Sequence, residues 1–150
     1  MNLEAVAALA PDLTREFPRS PREVLAGYVV VARALDKCRA ELAGKGGEYH
    51  FACALDREFF HFTNISADAF REFVATGADD DRVAEWITAR ARVNSRAEQV
   101  EWNNRLRYMR LCDMPLRLQV FLEDYIPQYL PKGRLVNYWF DVYDIEEGRM

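Results

Sequence analysis

The longest helical pattern in this sequence is SPREVLAGYVVVARALDKCRAELAGKGG, residues 20–47. Its apolar side chains recur at the spacing of one helix face, and they are Val24, Leu25, Tyr28, Val31, Ala32, Leu35, Cys38 and Leu42. Ser20 is followed by Pro21 at the first helical position and by Glu23 at the capping-box spacing. The glycines that start at Gly44 are typical of a helix end. We therefore predict one long helix that begins at Ser20.

The charged residues of this stretch fall on different sides of the predicted helix. Arg33 and Lys37 lie away from the apolar side, whereas Arg39 lies within it and Asp36 lies at its edge. A charge at the edge of a core needs a partner or a route to solvent. We expect Asp36 and Arg39 to form structural ion pairs, or alternatively to form the wall of a charged pocket.

Five further helical patterns follow in the chain. They begin near Asp56, Ser66, Asp79, Ser95 and Pro115. Ser66 lies near the cap of its helix, and Ser95 has a glutamate at the capping-box spacing. The helix that begins near Asp79 has acids in its first turn and arginines in its last, a polarity that complements the helix dipole. The pattern predicts a mainly α-helical protein, a single compact domain over residues 1–150 with five or six helices.

The aromatic tail GRLVNYWFDVYDIEEGRM is ambiguous. It is rich in β-branched and aromatic residues, and its periodicity does not distinguish a strand from a short helix over residues 134–145. Because so many large apolar side chains fall here, we expect the tail to pack on the core.

The composition excludes several classes of protein. The 150 residues carry a net charge of -4, which argues against a general nucleic-acid binder. A basic segment, Arg90–Arg117, contains Trp102, but this tryptophan falls in an apolar stripe, so we interpret the arginines as a solvated face. The three cysteines form no CxxC motif and predict no disulfide framework. No apolar stretch is long enough to span a membrane, and the N-terminus lacks the pattern of a signal peptide, which predicts a cytoplasmic protein.

The segment FPRSPRE, Phe17–Glu23, is the first candidate site. Capping explains Ser20, but Arg22 opposes the dipole of a helix that starts here, and Arg19 adds a second positive charge. Free N–H groups beside two arginines suit a phosphate or carboxylate. We predict that this helix N-terminus binds a small anionic ligand or an acidic partner; the alternative is that Glu16 and Glu23 neutralise two surface arginines.

The segment GEYHF, Gly47–Phe51, is the second candidate. If this loop folds back over the long helix, Tyr49 and His50 would line the same pocket as Arg39. An enzyme is an alternative function, in which His50 acts as acid or base beside Asp36 or Asp56. The histidines and cysteines fit no known zinc pattern, and the common nucleotide and hydrolase motifs are missing, so we expect neither a metal nor a cofactor.

A third hypothesis is a protein-interaction or homo-oligomerisation module that uses the aromatic tail. It requires an exposed apolar patch around Tyr138, Trp139 and Phe140.

Several blocks, read in order, resemble the bacterial family called domain of unknown function 5069. They are DLTREFPRSPREVLAGY, ARALDKCRAELAG, GEYHF, ALDREFFHFTNI and NYWFDVYDIEEG, which together run from about Asp12 to Glu147. The resemblance implies a small one-domain bacterial protein and implies no activity or catalytic residue.

Overall fold

The computed structural model describes residues 1–150, and its regular elements are all helices, with no strand. The α-helices are α1 (Leu3–Leu9), α2 (Val31–Leu42), α3 (Ala54–Thr63), α4 (Ala67–Val74), α5 (Asp80–Arg90), α6 (Arg96–Arg107), α7 (Leu116–Tyr129) and α8 (Trp139–Glu146). A short 3-10 helix covers Leu111–Asp113. The prediction of a mainly helical protein is confirmed. The predicted count of five or six helices is wrong, because α1 was missed and the aromatic tail forms α8.

The chain divides into two compact units, Met1–Gln99 and Val100–Met150, which are described separately below. Helix α2 is the centre of the first unit and packs against α1, α3 and α4. Every residue of α2 from Val31 to Ala40 is buried. The helix is therefore enclosed on all sides, including the side of Arg33 and Lys37 that lies away from the apolar stripe.

The predicted start of this helix is also wrong, because α2 begins at Val31 and not at Ser20. Ala26, Gly27 and Val30 all have positive φ angles, of 55°, 84° and 75°, which a right-handed helix cannot include. The hydroxyl oxygen of Ser20 accepts a hydrogen bond from the N–H of Arg22 at 3.1 Å, which closes a local turn. The Ser20 side chain thus closes a turn and does not cap a helix. Helix α2 starts only after three residues with positive φ.

The caps predicted at Ser66 and Ser95 are confirmed, and Asp79 forms a further cap. The side chain of Ser66 accepts from the N–H of Ala69, and that of Asp79 accepts from the N–H of Arg82. Ser95 caps α6 by accepting from the N–H of Glu98 at 3.1 Å. These bonds satisfy N–H groups that have no partner within the helix.

In the second unit, the aromatic tail is helical from Trp139 onward. Trp139 and Phe140 are buried, so the expectation that the tail packs on the core is confirmed. The exposed patch that the interaction hypothesis placed at Tyr138, Trp139 and Phe140 is not present. The exposed large apolar residues of this unit include Leu116, Val120 and Phe121 of α7 instead. No helix of either unit combines the length and the apolarity needed to cross a membrane.

Candidate functional site

A cleft of about 450 Å³ opens in the first unit beside α2 and the start of α5. Its lining residues are Leu9, Arg19, Asp36, Arg39, Asp79, Asp80 and Asp81. Two of the predicted site residues, Arg19 and Arg39, therefore lie in one cleft.

Asp80 joins the two arginines. One guanidinium N–H of Arg19 donates to Oδ2 of Asp80 at 2.8 Å, and one of Arg39 donates to Oδ1 at 2.7 Å. Burial raises the pKa of Asp80, but the two guanidinium groups outweigh it and hold the pKa of this carboxyl below its ordinary value. The geometry is that of a carboxylate held between two cations.

Arg19 is held in place by α2. It donates to both carboxylate oxygens of Asp36, from Nη2 at 3.0 Å and from Nε at 3.1 Å, and its backbone N–H donates to the same side chain at 2.8 Å. Burial lowers the pKa of Arg19, and its bonds to Asp36 and Asp80 outweigh that effect and raise it. Arg19 is therefore charged and fixed in orientation, as a bidentate arginine pair requires.

Arg39 is nearly enclosed, with 4% of the residue exposed. Besides its bond to Asp80, it donates from Nη2 to the backbone oxygen of Ala78 at 2.9 Å. The expectation that Asp36 and Arg39 find ion-pair partners is confirmed, and both pairs also line the cleft.

The remaining predicted site residues lie outside this lining. Ser20 is buried in its own turn, and Arg22 is half-buried beside it. Because no helix begins at Ser20, the predicted helix N-terminus is not available there to hold an anion. Of the predicted site residues, only Arg19 and Arg39 line this cleft.

The GEYHF loop contacts α2 but does not line the cleft with Arg39. Gly47 packs so closely on Leu13 that a side-chain carbon would lie 2.8 Å from the Leu13 carbonyl oxygen. The ring of Tyr49 lies 5.6 Å from the guanidinium carbon of the buried Arg33, a cation–π contact. His50 is exposed and does not line the cleft.

The carboxylates proposed as partners of His50 are bonded elsewhere. Asp36 is bonded to Arg19, and Asp56 is bonded to Lys37. The structure therefore does not bring together the acid–base pair that the enzyme hypothesis requires.

Sequence reasoning missed a buried ion pair between α2 and α3. Lys37 Nζ lies 2.9 Å from Oδ2 of Asp56, with side chains 4% and 0% exposed. The same carboxylate oxygen accepts from the N–H of Ala52 at 2.9 Å, and Lys37 also donates to the Cys53 sulfur at 3.1 Å. Asp56 Oδ1 is buried without a hydrogen bond. The only signal in the sequence was an acidic residue in the first turn of a predicted helix, which also occurs on exposed helices.

The side chains able to hold a metal are dispersed, and no group of three or more His, Cys, Asp or Glu residues forms a metal site. Cys38 is enclosed, and burial raises the pKa of its thiol to about 12, which keeps it protonated.

Fold and cleft define an all-helical protein in which two arginines hold an internal carboxylate at the edge of a polar cleft. The chain belongs to the family described as Domain of unknown function (DUF5069), whose model matches residues 15–149. No curated protein matches the sequence.

Proposed function

We propose that this protein binds a small molecule through a carboxylate or phosphate group, which Arg19 and Arg39 hold in the cleft. The observation that carries the proposal is the placement of Asp80. Its carboxylate sits between guanidinium groups from two separate segments, in bonds of 2.8 and 2.7 Å. A site that binds one carboxylate in this way has the donors to bind another.

The ligand group must replace Asp80. This side chain is 40% exposed and lies in the first turn of α5, so it can turn into solvent without a change in the backbone. Arg19 keeps its bonds to Asp36 in that event, and Arg39 keeps its bond to Ala78. Both donors therefore remain oriented while the carboxylate is exchanged.

The charge of the lining restricts the ligand further. The acidic lining residues outnumber the two arginines, because Asp79 and Asp81 lie beside Asp80. These neighbours weaken the binding of a purely anionic ligand but do not prevent it, because the two guanidinium groups lie closer to the bound group. A ligand that carries a cationic group next to its carboxylate or phosphate, such as an amino acid or a phosphoamine, satisfies both sets of charges.

The proposal is tested by thermal shift with inorganic phosphate, dicarboxylates, α-amino acids and phosphoethanolamine. A ligand at about one hundred times its Kd stabilises the fold by about 2.7 kcal/mol, which raises Tm measurably. We expect the largest rise with a ligand that carries both charges.

The diagnostic variant is Arg39→Lys, which keeps the charge but loses the planar fork and should abolish the shift. Arg110→Lys is the matched control, because Arg110 pairs with Asp113 at an exposed position and does not line the cleft. Ligand-induced shifts that survive Arg39→Lys, or no shift with any of these compounds, would contradict the proposal.

A further inference from the structure

Helix α7 in the second unit presents an apolar face to solvent. Leu116, Val120 and Phe121 are 73%, 58% and 57% exposed. Leu122 is the one buried residue of the helix. An exposed apolar stripe of this kind marks an interaction surface.

Two charged side chains lie on the same face. Arg117 follows Leu116, and Asp124 follows Val120 by one helical turn; both are exposed. They are about two turns apart, or about 10 Å along the helix axis, and they form no ion pair within the chain. Arg117 lies as far before the midpoint between Val120 and Phe121 as Asp124 lies after it.

From this symmetry, the geometry points to an interface in which α7 pairs with α7 of a second copy of the chain, in antiparallel orientation. A two-fold axis through the midpoint brings Arg117 against Asp124 of the partner subunit, twice in the dimer. The same axis places Val120 and Phe121 each beside its own copy in the partner subunit, on the two flanks of the charge pairs, and Leu116 lies at the outer edge of the contact. Opposite charges thus meet along the midline of the contact, and apolar side chains flank them.

A parallel pairing does not have this property, because it places Arg117 against Arg117 and Asp124 against Asp124. An unrelated partner would not require the face to be complementary to itself. Because the contact consists of one helix face on each side, its area is at the small end of specific interfaces, and we expect reversible self-association with a Kd in the micromolar range.

The test is sedimentation velocity of the whole protein from about 1 µM to about 1 mM, a range that brackets such a Kd. The wild type should pass from monomer to dimer. Arg117→Asp and Asp124→Arg each place like charges together twice, and each should weaken self-association about tenfold or more. The control is Arg105→Asp, which makes the same charge reversal at an exposed position of α6 and should leave the monomer–dimer equilibrium unchanged.

Two further samples distinguish self-pairing from non-specific association. The double variant Arg117→Asp/Asp124→Arg exchanges the charges and should restore the dimer. An equimolar mixture of the two single variants should form a heterodimer, although each alone is weakened. All of these residues are exposed, so circular dichroism and Tm should not change.

A wild type that remains monomeric over the whole range would assign the face to another partner and overturn the proposal. Self-association that is unaffected by the single reversals, or that the double variant and the mixture fail to restore, would overturn the antiparallel pairing.

Discussion

The charged side chains of α2 each reach a different part of the chain. Arg33 donates to the backbone oxygen of Arg19, Asp36 bonds to the Arg19 side chain, Lys37 pairs with Asp56, and Arg39 pairs with Asp80. Since all four are buried on α2, each requires its partner to offset the loss of hydration. The pairs therefore fix where the neighbouring segments dock.

The Lys37–Asp56 pair gives a prediction of stability. Removing one partner, by Lys37→Ala or Asp56→Ala, leaves a buried charge and should lower the free energy of unfolding by about 3–5 kcal/mol. The double variant Lys37→Met/Asp56→Leu removes both charges and should cost much less than the sum of the single changes. Urea denaturation measures all three.

The control for this pair is Glu41–Arg71, which joins α2 to α4 at 2.6 Å but is 40% and 36% exposed. Arg71→Ala should cost at most about 1 kcal/mol, because solvent screens an exposed pair. Equal losses at the buried and exposed pairs would show that burial does not determine their effect.

Asp80 gives a prediction of pH dependence. Its folded pKa lies below the ordinary value of 3.8, so its ion pairs contribute stability above that pH and lose it as the pH falls toward the folded pKa. The Tm difference between wild type and Asp80→Asn should be full at about pH 5 and should shrink toward about pH 2. A Tm difference that stays constant across this window would contradict the assignment.

The sequence indicated that Asp36 and Arg39 need partners, because both fall near the apolar side of a helix. It did not indicate the partner of Arg39, which lies 41 residues away in the chain. An acid in the first turn of α5 complements the helix dipole, and this local explanation of Asp80 gives no sign that it pairs with Arg19 and Arg39. Pairing between distant charges depends on packing, which periodicity does not encode.

Among the elements, the turn before α2 departs most from the sequence prediction. Gly27 has a φ of 84°, and a side-chain carbon there would lie 2.6 Å from the Gln99 side chain. The apolar spacing over this segment does fit a helix. A helix here would not allow Gly27 to pack closely on the Gln99 side chain. Tertiary contact therefore overrides the local helical pattern here.

Gly27→Ala and Gly44→Ala form a matched pair of variants that tests this explanation. Gly44 also has a positive φ, of 71°, but has open space around it, so alanine should cost only the backbone strain of about 1–2 kcal/mol. At Gly27 we expect about 1–3 kcal/mol more, because the side chain also displaces its neighbours. Equal losses in denaturant melts would show that the close approach has no energetic role.

The helices with local signals were predictable. Ser66, Asp79 and Ser95 cap α4, α5 and α6. Each side chain accepts a hydrogen bond from the backbone N–H three residues later, so the cap depends on nearby sequence alone. Helix α1 has only seven residues and offers too short a pattern. Helix α8 was ambiguous because its residues are buried on most sides, which erases the periodicity that separates a helix from a strand.

At the scale of the whole molecule, composition and pattern were enough to predict a mainly helical protein. The sequence also singled out Arg19, within FPRSPRE, and Arg39, and these two residues line one cleft. The sequence could not show that the carboxylate held by Arg19 and Arg39 is one of the protein's own. The cleft lies in the unit Met1–Gln99 and the α7 face lies in the unit Val100–Met150.

The most direct test of the cleft is a comparison of Asp80→Ala with Asp81→Ala in increasing acetate or phosphate. Both variants remove one negative charge from the first turn of α5, but only Asp80→Ala frees the two guanidinium groups. We predict that Asp80→Ala lowers Tm and that added anion restores it, whereas Asp81→Ala shows no more response than the wild type. An equal response of the two variants, or no recovery of Asp80→Ala with either anion, would contradict a carboxylate-binding site at Arg19 and Arg39.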